Sequence, residues 1–176
     1  MEQKAKTMST FAHLPFEVTA AAEKPAQMGL VTLETDLTIE TEMRHFLSGA
    51  PGHNDASGVA LLHTRIACDD QVTAENLSLM EGRFADALAL FPKDYTFEVI
   101  GYGCTSASLV IGEARVQQII QSNADVAHVT TPLTAAKRGL AALNVARIGY
   151  LAPYISETRD VGVRARIGGA SGGRYW

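Results

Sequence analysis

Cys104, Thr105 and Ser106 follow a β-type run, Phe97 to Ile100, and a glycine-loosened turn, Gly101-Tyr-Gly103, at the point where a helix should begin. A thiol so placed lies among free backbone N–H groups at the positive end of a helix dipole. That setting stabilises the thiolate and can lower its pKa from about 8.5 toward neutrality. The same turn suits a carboxylate or a phosphate, so one segment offers a nucleophile and an anion cradle together. The competing reading is that of any free cysteine, which is usually a small buried hydrophobe. Cys68, in Arg65-Ile-Ala-Cys-Asp-Asp70, has no glycine turn before it and reads as structural.

Other groups fall at the carboxyl ends of the expected strands, where open α/β sheets bind ligands. The first end offers Glu34, Thr35, Asp36 and Thr38, the fourth Thr130 and Thr131, and the fifth Pro153, Tyr154 and Ser156. A thiol, hydroxyls, a phenol and backbone N–H groups suit a small polar acid. Gly101-Tyr-Gly-Cys-Thr-Ser106 also comes close to the G-x-G-x-x-G dinucleotide pattern. It lies on the third strand, however, Ser106 replaces the last glycine, and no strand-end acid follows about 20 residues on, so no nicotinamide or flavin cofactor is expected. Arg65 is expected in a salt bridge with Asp69 or Asp70, or on a carboxylate. His128, inside a strand, reads as a packed core histidine. No second His or Cys stands at ligand spacing, so no metal site is expected.

The elements that must position these groups alternate. Strands are expected at Met28 to Leu33, Val59 to Ile66, Phe97 to Ile100, Val126 to Thr130 and Arg147 to Ala152. Helices are expected at Thr38 to Leu47, Thr73 to Leu90, Ser106 to Ser122 and from Pro132 through Leu143. Glu40 and Glu42 favour the first helix start, and Leu77, Met80, Phe84, Ala87 and Leu88 make one apolar face on the second. Strands alternating with helices predict an α/β fold, a parallel sheet covered on both faces. Residues 1–26 read as a tail and 27–157 as the α/β lobe. Residues 158–176 read as a divergent Gly/Arg-rich tail that supplies no covering helix, as if the chain were cut short.

With 176 residues the chain can build one domain with a proper core. A net charge of −4 and a pI near 5.7 argue against nucleic-acid binding. No apolar run approaches the roughly 18 residues that span a bilayer, and no secretory signal is evident. Two cysteines at unrelated positions suggest neither a disulfide framework nor a zinc cluster, and a cytoplasmic location is expected.

Four segments, Gly29-Leu-Val-Thr-Leu-Glu-Thr-Asp-Leu-Thr-Ile-Glu40, Gly103-Cys-Thr-Ser-Ala-Ser-Leu-Val-Ile-Gly112, Thr131-Pro-Leu-Thr-Ala-Ala136 and Arg147-Ile-Gly-Tyr-Leu-Ala-Pro-Tyr154, resemble the maleate cis-trans isomerase and arylmalonate decarboxylase branch of the aspartate/glutamate racemase superfamily. They stand in the family's order and roughly its spacing. The resemblance implies a three-layer α/β lobe, one of two that enclose the active site, with one cysteine supplied by each. Cys104 matches the first-lobe nucleophile. Thr105 and Ser106 fall where backbone and hydroxyl groups hold a carboxylate, and Tyr154 matches a substrate-contacting tyrosine. Asp36 stands where maleate isomerases commonly carry asparagine, a departure shared with the related ectoine-utilisation proteins. An ionised acid there would repel a dicarboxylate. The second lobe is missing after about residue 157, and the context of Cys68 matches neither cysteine motif.

The implied activity is cofactor-independent cis-trans isomerisation of a small dicarboxylate, maleate to fumarate in type, with low or no activity for the chain alone. The alternatives are a non-catalytic carboxylate-binding remnant and a decarboxylase or racemase of the same superfamily, racemisation being the weaker fit with one candidate thiol. The expected partner is the small dicarboxylate, with neither nucleic acid nor membrane. The apolar surface left by a missing lobe predicts self-association into a homo-oligomer.

Overall fold

The computed structural model describes Glu17 and residues 25–48, 58–144 and 147–148. Four strands, β1 (Gln27–Leu33), β2 (Ala60–Ile66), β3 (Phe97–Tyr102) and β4 (Val126–Thr130), form one sheet in the order β2-β1-β3-β4. All three pairings are parallel. The helices are α1 (Ile39–Ser48), α2 (Ala74–Leu79), α3 (Phe84–Leu88), α4 (Thr105–Ile111), α5 (Glu113–Asn123) and α6 (Pro132–Ala142). The expected α/β class is therefore what the chain adopts. Residues 149–152 of the expected fifth strand, Tyr154 and the glycine-rich tail lie outside the described residues.

Side-chain alternation assigns the faces of the sheet. On β2 the Thr64 hydroxyl donates to the Ala87 carbonyl at 2.8 Å, so Thr64 and Ile66 point to the α3 side. Their neighbours His63 and Arg65 point the other way, where both meet Glu40 of α1. The α2–α5 side holds the main core, built from Val31, Ile66, Ile100 and Tyr102 of the sheet with Met80, Phe84, Val116 and Ile120 of the helices. All five residues of the apolar face expected between Thr73 and Leu90 are buried there.

Several expectations need correction. The 73–90 helix is interrupted by a 3₁₀ turn, Met80–Arg83, that contains Gly82, the weakest helix former of the segment. The single helix expected at 106–122 is two, because Gly112 at φ 91° ends α4 and starts α5; the left-handed region is one that glycine enters without a Cβ clash. Strand β3 runs on through Gly101 and Tyr102, which pair with Leu30 and Val31, so the turn is shorter than expected. His128 is exposed, not packed in the core. Arg65 pairs with Glu40 at 2.6 Å, while Asp69 pairs with Arg83 at 2.8 Å.

No described helix is long and apolar enough to cross a membrane.

Candidate active site

Cys104 is two residues beyond β3 and is the N-cap of α4, with extended backbone at φ −123° and ψ 111°. Its Sγ accepts the Ala107 N–H at 3.4 Å, and its carbonyl accepts the Ser108 hydroxyl at 2.6 Å. The turn before it is packed tightly. The Gly103 N–H donates to the Val31 carbonyl at 2.8 Å, and a Cβ on Gly103 would come within 2.8 Å of Ile39 Cδ1. A larger residue at 103 would force the tip of the Ile39 side chain to shift.

Cys104 is only 6% exposed. Burial pushes the pKa of its thiol up, against the pull of the Ala107 N–H, the Tyr102 hydroxyl and the Ser106 N–H and hydroxyl. This reverses the sequence expectation of a lowered pKa. The helix-start donors are present, but desolvation of the anion outweighs them, and α4 spans only seven residues. Tyr102, fully buried beside it, is pushed up by burial first and then by the neighbouring sulfur of Cys104. Its hydroxyl lies 3.6 Å from Met80 Sδ.

Cys104 forms part of the wall of a cavity of about 290 Å³ at the carboxyl end of the sheet, on the α2 side. That volume is at the small end for small-molecule sites. Leu33, Val72, Leu77 and Met80 supply apolar wall, and Thr35, Gln71, Asn76 and Ser106 supply polar groups. Asp69 and Asp70 bring carboxylates, and Cys68 brings a second sulfur. No cationic side chain is on the described wall. Asp69 has its countercharge in Arg83.

Of the residues singled out from the sequence for ligand binding, Thr35, Cys104 and Ser106 meet on this wall. Thr105 is exposed and not part of it. Asp36 is not part of it either: its Oδ1 accepts the N–H groups of Thr38 and Ile39 at 2.9 and 3.0 Å, capping α1. Cys68 is what the sequence reading missed as a wall residue. No local motif marks it, because the 67–73 connection reaches the cavity only through the fold. Its polar setting, Ala-Cys-Asp-Asp just after a strand, was the available signal. No described group of three or more His, Cys, Asp or Glu side chains is placed to hold a metal ion.

No protein-family model and no curated protein matches the chain. Among solved structures it is similar to the crystal structure of the maleate isomerase Iso from Pseudomonas putida S16, at 24% identity and a TM-score of 0.61, over 80% of this chain and 58% of that one. It is likewise similar to a cysteine-to-alanine variant of that enzyme with maleate, at 24% identity and a TM-score of 0.60, over 78% and 57%. The chain thus spans less than two thirds of these neighbours' length, and at this identity the likeness is one of fold: an α/β lobe of maleate isomerase type.

Proposed function

We propose that the chain carries the Cys104 half of a cofactor-independent cis-trans isomerase site for a small dicarboxylate of the maleate kind. The observation that carries this reading is the position of Cys104, on a cavity wall at the carboxyl end of β3 in a fold shared with maleate isomerases. In the reaction the Cys104 thiolate adds to one alkene carbon. The π pair moves onto the neighbouring carbon and its carboxylate as an enediolate. The former double bond, now single, rotates, and the pair then re-forms the alkene and expels the sulfur as thiolate, leaving the trans acid. Hydroxyl and N–H donors stabilise the enediolate, with Ser106 and Thr35 the hydroxyls on the wall. Thr105 and Asp36 enter the proposal as substrate contacts only for a ligand that reaches past this wall, and Tyr154 enters it only through the resemblance.

Two features favour a second reading, a remnant with little turnover of its own. Burial favours the thiol of Cys104 over the thiolate, and the described wall offers a dicarboxylate no cation. The test is proton NMR of the alkene signals of maleate and fumarate, with the purified chain beside Cys104→Ala. Turnover that disappears in the variant supports the isomerase. Turnover that survives in it removes Cys104 as the nucleophile, and none in either protein leaves the remnant.

A further inference from the structure

A structural cysteine is enclosed by apolar side chains and indifferent to polar neighbours. Cys68 touches the core along one side, yet it is half-buried in a polar loop and has polar groups within reach of its sulfur and its backbone. Its Sγ lies 3.4 Å from Thr35 Oγ1. Its N–H donates to Glu34 Oε1 at 3.0 Å. The residues on either side of it are gripped by one guanidinium: Arg83 Nη1 donates to the Ala67 carbonyl at 3.0 Å, and Arg83 Nη2 pairs with Asp69 at 2.8 Å. The loop that supplies Glu34 and Thr35 is itself pinned, because Arg65 Nη1 donates to the carbonyls of Leu33, Glu34 and Asp36 at 3.0, 3.1 and 2.8 Å. Two arginines thus direct their donors at the loops that hold this sulfur, on the same cavity wall as Cys104. Burial first, then Cys104 and last Cys68 raise the pKa of Tyr102.

We infer that Cys68 is a second functional thiol of this cavity, supplied by the same lobe as Cys104, facing the same small ligand and positioned by Arg83 and Glu34. The ligand class rests on the reading of the site given above: a small acid with an activated double bond. Such a ligand can be attacked by either sulfur. An S–C bond forms where an S–H was, the π pair moves to the neighbouring carbon, and that carbon takes a proton from water or from the other thiol, so no oxidant or reductant is needed.

A short bis-electrophile tests the pairing without relying on the substrate. Dibromobimane loses one bromide to each thiolate and fluoresces once both arms are thioethers. The folded protein should give an intramolecular adduct in which one bimane joins Cys68 to Cys104, read by fluorescence and peptide mass. It should be absent from Cys68→Ser and from Cys104→Ser. Arg83→Gln, checked for an unchanged circular dichroism spectrum, should lower the cross-link yield severalfold; an unchanged yield would remove Arg83 as a positioning residue. Saturating maleate should slow the cross-link severalfold. Cross-linking that maleate does not slow keeps the two-thiol site and overturns the ligand class. Single-arm adducts alone, or cross-links only between molecules, overturn the two-thiol site itself.

Discussion

On one side of the sheet Val31, Ile66, Ile100 and Tyr102 lie beneath α2 to α5 with none of their surface exposed. On the other side α1 runs over the sheet without burying a single residue of its own, and Phe46 at its end is 71% exposed. The first side is held by close apolar packing, as in the edge-on contact of Phe84 and Tyr102, whose ring centroids are 4.7 Å apart. The second buries fewer apolar side chains, Leu30 and Leu61 of the sheet among them, and adds charge and caps: Glu40 receives both His63 and Arg65, and Asp36 closes the start of α1. Packing is cumulative and does not depend on one partner, whereas a polar clamp is local and screened by water. The candidate site borrows from both. Its floor is the packed side, through Leu77, Met80 and Cys104, and its rim is the loop pair held by Arg65 and Arg83.

The widest separation between the two sides should appear on truncating a phenylalanine. Phe84→Ala should cost about 3–5 kcal/mol in urea unfolding, because it empties a fully buried position. Phe46→Ala should cost less than about 0.5 kcal/mol. Equal losses would show that α1 is packed as firmly as α3. A smaller effect is expected at the helix cap. Asp36→Ala should cost about 1 kcal/mol, with Asp36→Asn retaining most of the stability. Thr32→Val goes the other way. The Thr32 hydroxyl is fully buried with no hydrogen-bond partner among the described residues, so the isosteric apolar residue should stabilise the fold by about 1 kcal/mol. No gain would mean that this hydroxyl is satisfied.

The last test uses pH. The pKa of Cys104 is raised in the fold relative to the unfolded chain, so above the ordinary thiol range the unfolded state releases protons that the native state retains. Native protein then binds more protons than unfolded protein, and stability falls as pH rises through that range toward the native pKa. Tyr102, also raised, extends the fall to more alkaline pH. Cys104→Ala should flatten the first part of the decline in a series of thermal melts and Tyr102→Phe the later part. A decline unchanged in both variants would mean that the packed side does not bury these groups as described.

Much of this architecture was legible along the chain. The apolar face Leu77, Met80, Phe84, Ala87 and Leu88 announced a buried helix, Pro132 marked the start of α6, and Val126 to Thr130 is β4 to the residue. The helix break at Gly112 was not legible, because a glycine within an apolar run reveals its positive φ only when the chain must turn there. Arg65 was assigned its nearest acids in sequence, Asp69 and Asp70, yet alternation along β2 turns it to the opposite face, toward Glu40.

The division at the site follows the same physics. Local signals determined that Cys104 would stand at the end of a strand and the start of a helix, since strand, turn and cap are decided by neighbours within a few residues. Whether that thiol is ionised, and which sulfur shares its cavity, depends on groups far away in sequence: Met80, which joins the neighbouring Tyr102 in burying it, and Cys68, held by Glu34 and Arg83. Desolvation and shared ligand space are properties of a volume, and a volume exists only once the strands and helices have packed around it.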